Sequence, residues 1–183
     1  MCKDLNVLQG ERISLRPITL ADTDLIVRWR NNPAVRKNFI FRERFTSRMH
    51  QEWMHTKIDS GAAIQYIIEE RISGRPIGSV YYRDIDRVNK SAEYGIFIGE
   101  DYARGKGYGT EAARLFTTFG ILVLGLHRIT LRVLAGNEQA YRSYVRAGFQ
   151  KEGVAREMVL LDGWYQDVIF MAILESNKRE GNV

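Results

Sequence analysis

Arg104-Gly105-Lys106-Gly107-Tyr108-Gly109-Thr110 is the stretch of this chain whose residue types and spacing best fit a chemical task. Glycine permits positive φ and close backbone approach, so successive N–H groups can converge on an anion. The stretch lies between a β-rich run and the longest helical pattern, so the positive end of a helix dipole adds to the attraction. A turn that merely joins strand to helix is the competing reading. Two familiar phosphate motifs fail here. A Walker loop needs Lys-Ser or Lys-Thr after its last glycine, and a dinucleotide fingerprint needs glycine at position six, where Thr110 stands, within a βαβ unit. What remains is a pyrophosphate cradle fed by an antiparallel sheet. Metal chemistry has less support: His50, His55 and His127 show no His/His or His/carboxylate ligand spacing, and Cys2 is the sole cysteine. No metal is expected.

The elements that must position this loop follow from periodicity. Residues 11–17 alternate polar and apolar and end at Pro17, which predicts a strand running into a turn. Thr19 with Asp22 forms a capping pair for a helix whose stripe is Leu25, Ile26 and Trp29 and which Pro33 ends. A second helix starts at Thr46 or Ser47, with Met49, Trp53 and Ile58 facing inward. Residues 63–69, 77–83 and 92–98 predict a three-strand meander. From 107 to 126 the period changes to three and four, through Tyr108, Ala112, Leu115, Phe116, Phe119, Leu122 and Val123, giving a long amphipathic helix. A strand over 128–134, a helix over 137–147 and a hairpin of 149–161 and 164–174 around Asp162-Gly163 complete the chain. The order β-α-α-β-β-β-α-β-α-β-β is that of a mixed α+β protein.

Composition sets the outer bounds. At 183 residues the chain fits one domain, taken as residues 10–175 with a polar tail at 176–183. With 45% hydrophobic and 27% charged residues it is globular, neither disordered nor collagen-like. No run approaches the ~18 apolar residues of a membrane span and no apolar region opens the chain, so a cytoplasmic protein without membrane contact is expected. The net charge of +5 favours anionic partners such as phosphorylated cofactors. The basic residues form no block of five or six, and no helix carries a basic face interleaved with base-stacking aromatics, so nucleic acid is not an expected partner.

Arg104, Gly107 and Gly109 match the pattern Arg/Gln-x-x-Gly-x-Gly/Ala, and about thirty residues on stands Asn137-x-x-Ala140-x-x-x-Tyr144-x-x-x-Gly148-Phe149. In these two motifs, and in element order over essentially the whole chain, the sequence resembles the GNAT superfamily of N-acetyltransferases. The resemblance implies that family's fold, a central, mostly antiparallel twisted sheet flanked by helices. It also implies acetyl-CoA as co-substrate. The pyrophosphate would sit on the amides of residues 105–110 beside Arg104, within the loop Gly105, Lys106, Gly107, Tyr108, Gly109 and Thr110. Pantetheine would run alongside Phe97-Ile98-Gly99, and Asn137 would contact it or cap its own helix. Tyr144 would act as general acid to the CoA sulfur. Glu93 would act as general base, directly or through water. Homodimers are common in that family.

The opening RISLRPITLADTD, the strand AEYGIFI and the ending DGWYQDVIFMAIL resemble the branch holding ribosomal-protein N-terminal (RimJ/RimL-like) and bacterial spermidine acetyltransferases. In this fold the first two helices, the loop between them and the last hairpin shape the acceptor site. That places Trp29, Arg30 and Asn31 at the acceptor, in a segment that also resembles acetyltransferases of nucleotide-linked amino sugars. Arg28, Arg30, Arg36, Lys37, Arg42, Arg44 and Arg48 make this region basic, which disfavours a polyamine and favours an anionic acceptor, unless they form a solvated face. A protein N-terminus or small amine remains open. Outside the enzyme class, the alternative is an acyl-CoA-binding regulatory module without catalysis.

Overall fold

The computed structural model describes residues 6–176; Cys2 and residues 177–183 of the tail lie outside them. Eight strands form one sheet: β1 (Leu8–Gln9), β2 (Ile13–Pro17), β3 (Ile64–Glu70), β4 (Pro76–Asp86), β5 (Ser91–Ile98), β6 (Arg128–Leu134), β7 (Gln150–Leu161) and β8 (Trp164–Leu174). Their spatial order is β1-β2-β3-β4-β5-β6-β8-β7. The helices are α1 (Thr23–Asn31), α2 (Pro33–Arg36), α3 (Ser47–Trp53), α4 (Tyr108–Leu122) and α5 (Glu138–Ala147). No helix among the described residues is long and apolar enough to cross a membrane.

Strand alternation divides the core between two faces. On β3, Tyr66 and Ile68 join a cluster with Phe116 and Phe119 of α4, while Ile67 between them joins Ile26 and Trp29 of α1. On β5, Ala92 and Tyr94 face the α4/α5 side and Phe97 the α1–α3 side. The first cluster is aromatic: Tyr82 stacks on Phe116 at 4.4 Å, and its hydroxyl donates to the Phe116 carbonyl at 2.8 Å. Each fully buried Phe or Ile contributes roughly 1.5–3 kcal/mol.

The expected capping pair forms. Asp22 is buried, and burial alone would raise its carboxyl pKa. Hydrogen bonds from Arg16 at 2.7 and 2.8 Å and from the Thr19 amide at 2.9 Å outweigh that, holding it below the usual range. Two short elements were not expected, β1 and α2. Asn32 ends α1 and caps α2, accepting from the Ala34 amide at 3.0 Å, with Pro33 at the first helical position. The long helix stops at Leu122 rather than 126, because the Leu126 amide folds back onto the Gly120 carbonyl.

The parallel pairing falls between β5 and β6, through Ser91↔Arg128, Ala92↔Ile129 and Glu93↔Thr130. Beyond Glu93 the two strands diverge, and β5 continues paired to β4 alone. At its far end, Gly99 lies flat against Trp29, which is 1% exposed and donates its indole N–H to Glu100 at 2.8 Å. A Cβ at Gly99 would fall inside the contact radius of that immobile ring. Gly99→Ala is therefore expected to cost about 1–3 kcal/mol in urea unfolding. Gly136→Ala, at a position with open space, is expected to change stability by less than about 0.5 kcal/mol.

Candidate active site

The divergence of β5 and β6 opens a cleft of about 860 Å³ that runs from α1–α3, through the gap in the sheet, to the glycine loop. At the loop end, Gly105 and Gly107 adopt φ of +75° and +85°, the left-handed region that favours glycine. The amides of residues 105–109 have no hydrogen-bond partner among the described residues. Five consecutive free donors at a helix N-terminus match what a pyrophosphate requires. Arg104, Gly105, Gly107, Tyr108, Gly109 and Thr110 line the cleft. Lys106 does not; its ammonium rests over the Tyr102 ring at 5.6 Å.

The loop is braced by residues with no local sequence signal. Arg12 donates to the Lys106 carbonyl at 3.0 Å and to Glu111 at 3.0 Å, and Glu111 also accepts from the Arg12 amide at 2.7 Å. Tyr108 donates to Glu70 at 2.6 Å. Thr110 Oγ1 and Ser143 Oγ lie 2.8 Å apart, joining the start of α4 to α5. Partners 33 to 99 residues apart leave no pattern along the chain.

On α5, Asn137 is the N-cap, accepting from the Ala140 amide at 3.2 Å, and it also lines the cleft. Tyr144 lines the cleft edge-on to Tyr94, with ring centroids 6.2 Å apart. Burial, with a smaller contribution from Tyr81, raises the Tyr144 phenol well above the ordinary tyrosine range, so it keeps its proton at neutral pH. Tyr94 is 3% exposed, also raised by burial, and its hydroxyl has no partner. A buried hydroxyl without a partner at a cleft wall is one that a ligand can satisfy. Nothing in the sequence singles Tyr94 out from its neighbours in the run 92–98.

Glu93 occupies the last paired position before the strands part. Its Oε1 accepts from Arg83 Nη2 at 2.5 Å and Arg132 Nε at 3.2 Å, and Oε2 lies 3.1 Å from Arg132 Nη2. The carboxylate thus faces two guanidinium groups, not the solvent side of a strand. Phe97 and Ile98 line the cleft, whereas Gly99 is closed off by Trp29.

Of the three acceptor candidates, only Arg30 reaches the cleft. Trp29 is core, and Asn31 pins the loop before α3, donating to the Val27 and Phe45 carbonyls at 2.9 and 2.7 Å and accepting from the Phe45 amide at 2.9 Å. Arg30 lies 3.7 Å above the Phe39 ring and 5.0 Å from Phe45. Burial lowers its guanidinium pKa from the ordinary value. No hairpin residue lines the cleft; the hairpin turn meets the acceptor loop through an ion pair of Asp162 with Arg42.

His50 is 1% exposed and lines the acceptor end. Thr23 Oγ1 gives its proton to the Leu20 carbonyl at 2.7 Å, so at the 3.0 Å contact His50 Nδ1 must donate to it. Nε2 is then a bare acceptor, without a partner. Burial holds the imidazole below its ordinary range, hence neutral at pH 7. No group of three or more potential metal ligands exists among the described residues.

A sheet opened between two parallel strands, with free amides on one side of the gap and a protonated phenol beside it, defines an acyl-CoA-dependent transferase. The model of the acetyltransferase (GNAT) domain matches residues 12–150, and the chain belongs to that family, whose enzymes use acetyl-CoA. It is 29% identical over 164 residues to the spermidine N(1)-acetyltransferase of Escherichia coli K12, covering 89% of this chain and 86% of that one. It is 31% identical over 102 residues to the putative ribosomal N-acetyltransferase YdaF of Bacillus subtilis, covering 56% and 55%. Among solved structures, spermidine N-acetyltransferase from Vibrio cholerae in complex with CoA and spermine superposes with a TM-score of 0.84 at 28% identity, over 91% of this chain and 97% of that one.

Two variants test the loop. Gly107→Glu is expected to weaken CoA binding by at least about a hundredfold in calorimetric titration, placing a carboxylate where phosphate charge would lie. Gly107→Asn, which tolerates the left-handed backbone, is expected to stay within about tenfold of the parent.

Proposed function

We propose that this enzyme acetylates a primary amine by direct attack of the amine on the thioester of acetyl-CoA, with Tyr144 as general acid. The observation that carries this reading is the meeting, in one cleft, of the free amides of residues 105–109 and the half-buried phenol of Tyr144. The likeness to spermidine acetyltransferases supports an amine acceptor.

Acetyl-CoA supplies an activated acyl group; the chain's residues hold it and handle protons. The amides of the glycine loop and the N-terminus of α4 neutralise the pyrophosphate. Phe97, Ile98 and Asn137 line the path between that loop and the gap. Tyr144 gives its proton to the departing sulfur, a task that a phenol raised by burial can perform across the neutral range. Glu93 holds Arg83 and Arg132, and the capacity left on Oε2 accepts a hydrogen bond from water that carries the acceptor's proton away.

Tyr144→Phe is expected to lower kcat about 10²–10⁴-fold while CoA affinity changes less than about threefold. In the parent, kcat/KM is expected to rise with pH as the amine loses its proton, with no falling limb below pH ~10. A falling limb near pH 8 would remove Tyr144 from this role. Glu93→Gln separates positioning from proton transfer: the expected outcome is a rise in KM for the acceptor of about tenfold or more, larger than the fall in kcat. The reverse split would make Glu93 the direct base.

A further inference from the structure

The acceptor end of the cleft is basic. Arg30, Lys57, Arg83 and Arg132 line it, against Glu52 and Glu93. Glu93 is already taken up by Arg83 and Arg132. Three other basic residues of the α1–α3 region are held away from the cleft: Arg28 pairs with Glu100, and Arg36 and Arg42 bind backbone carbonyls. Arg30 differs from them. Its guanidinium lies on the Phe39 ring, with no carboxylate or carbonyl on its N–H edge among the described residues. A guanidinium stacked by its face leaves its in-plane donors available for a planar or tetrahedral oxyanion. Arg83 is held differently, with Nη2 on Glu93 and Nε facing Asp84. Its Nε is buried without a hydrogen-bond partner, since Asp84 Oδ2 at 3.7 Å is out of reach. Two arginines in one cleft therefore carry unused donors.

We infer that the acceptor amine carries an anionic group, a carboxylate or phosphate, that binds the free edge of Arg30 with Arg83 beside it. This deepens the proposed activity and rests on it. A polyamine, cationic at each nitrogen, would place its charges beside Arg30, Arg83 and Arg132, with Glu93 already shared by two guanidinium groups and Glu52 alone left to receive it. The aromatic walls from Phe39, Phe45 and Trp53 accommodate the uncharged body of the acceptor, and His50 Nε2 accepts one of its N–H or O–H groups.

The test compares linear ω-amino carboxylates with diamines of the same lengths, from three to eight carbons, together with glucosamine, glucosamine 6-phosphate and spermidine. Each is titrated into CoA-loaded enzyme, and each is assayed for CoA release from acetyl-CoA. The best anionic amine is expected to bind, and to turn over, at least about tenfold better than its uncharged or cationic counterpart. Arg30→Gln is expected to bring that ratio within about twofold by raising KM for the anionic member, and Arg30→Lys to restore part of it. Preference for spermidine or the diamines, a ratio unmoved by Arg30→Gln, or no anion-dependent binding to the CoA-loaded enzyme would overturn the inference. Anion-selective binding without turnover would uphold it and count instead against the catalytic reading of Tyr144.

Discussion

Glu93 and its two arginines hold the point on which the architecture turns. Arg83 comes from β4, Glu93 from β5 and Arg132 from β6, so one carboxylate joins three neighbouring strands where the parallel pair parts. Strands that separate leave backbone donors and acceptors without ladder partners, which is unfavourable unless something else satisfies them. Ion pairs at the fork hold the closed part of the sheet shut while the rest stays open. The partly buried setting lets these pairs act at a higher effective strength than exposed ones.

Around that fork the molecule assigns different work to its two faces. The α4/α5 face carries the glycine loop and Tyr144, tied together by Thr110 and Ser143 and tied to the opening of β2 by Arg12 and Glu111. The α1–α3 face carries Arg30, His50 and their aromatic surroundings. The gap is the passage between them. Several buried polar atoms lacking a partner, His50 Nε2, Arg83 Nε and Tyr94 Oη, lie on its walls. Native interiors leave few such groups, and their gathering in one cleft marks where ligand atoms complete the hydrogen bonding.

Much of this was legible in the sequence. The strand over 128–134 matched to the residue, as did 164–174 in the hairpin, because period two and period three-to-four are local signals. The glycine loop was legible for the same reason: Gly105, Gly107 and Gly109 fall within five residues of one another in the chain. The surroundings of Glu93 were not legible, since Arg83 and Arg132 are brought to it by strand register. The acceptor segment was read one residue too widely on each side of Arg30. A helix turns by about 100° per residue, so Trp29 and Asn31 point elsewhere, and which of three adjacent residues faces a cleft depends on how the helix is docked. His50 was invisible as a bare acceptor because its tautomer is set by Thr23, 27 residues away.

The separation of the two hydrophobic clusters by the sheet has a consequence for how such a protein can change over time. Ile26, Trp29, Val35 and Met54 pack on one face, and Phe116, Ile129 and Phe149 on the other, with the sheet backbone between them. Changes on opposite faces share few neighbours, so their effects on stability combine nearly independently. The α1–α3 layer can therefore change with little disturbance to the face that carries the glycine loop and Tyr144. The layering thus lets either face vary in sequence while the packing of the other is held fixed.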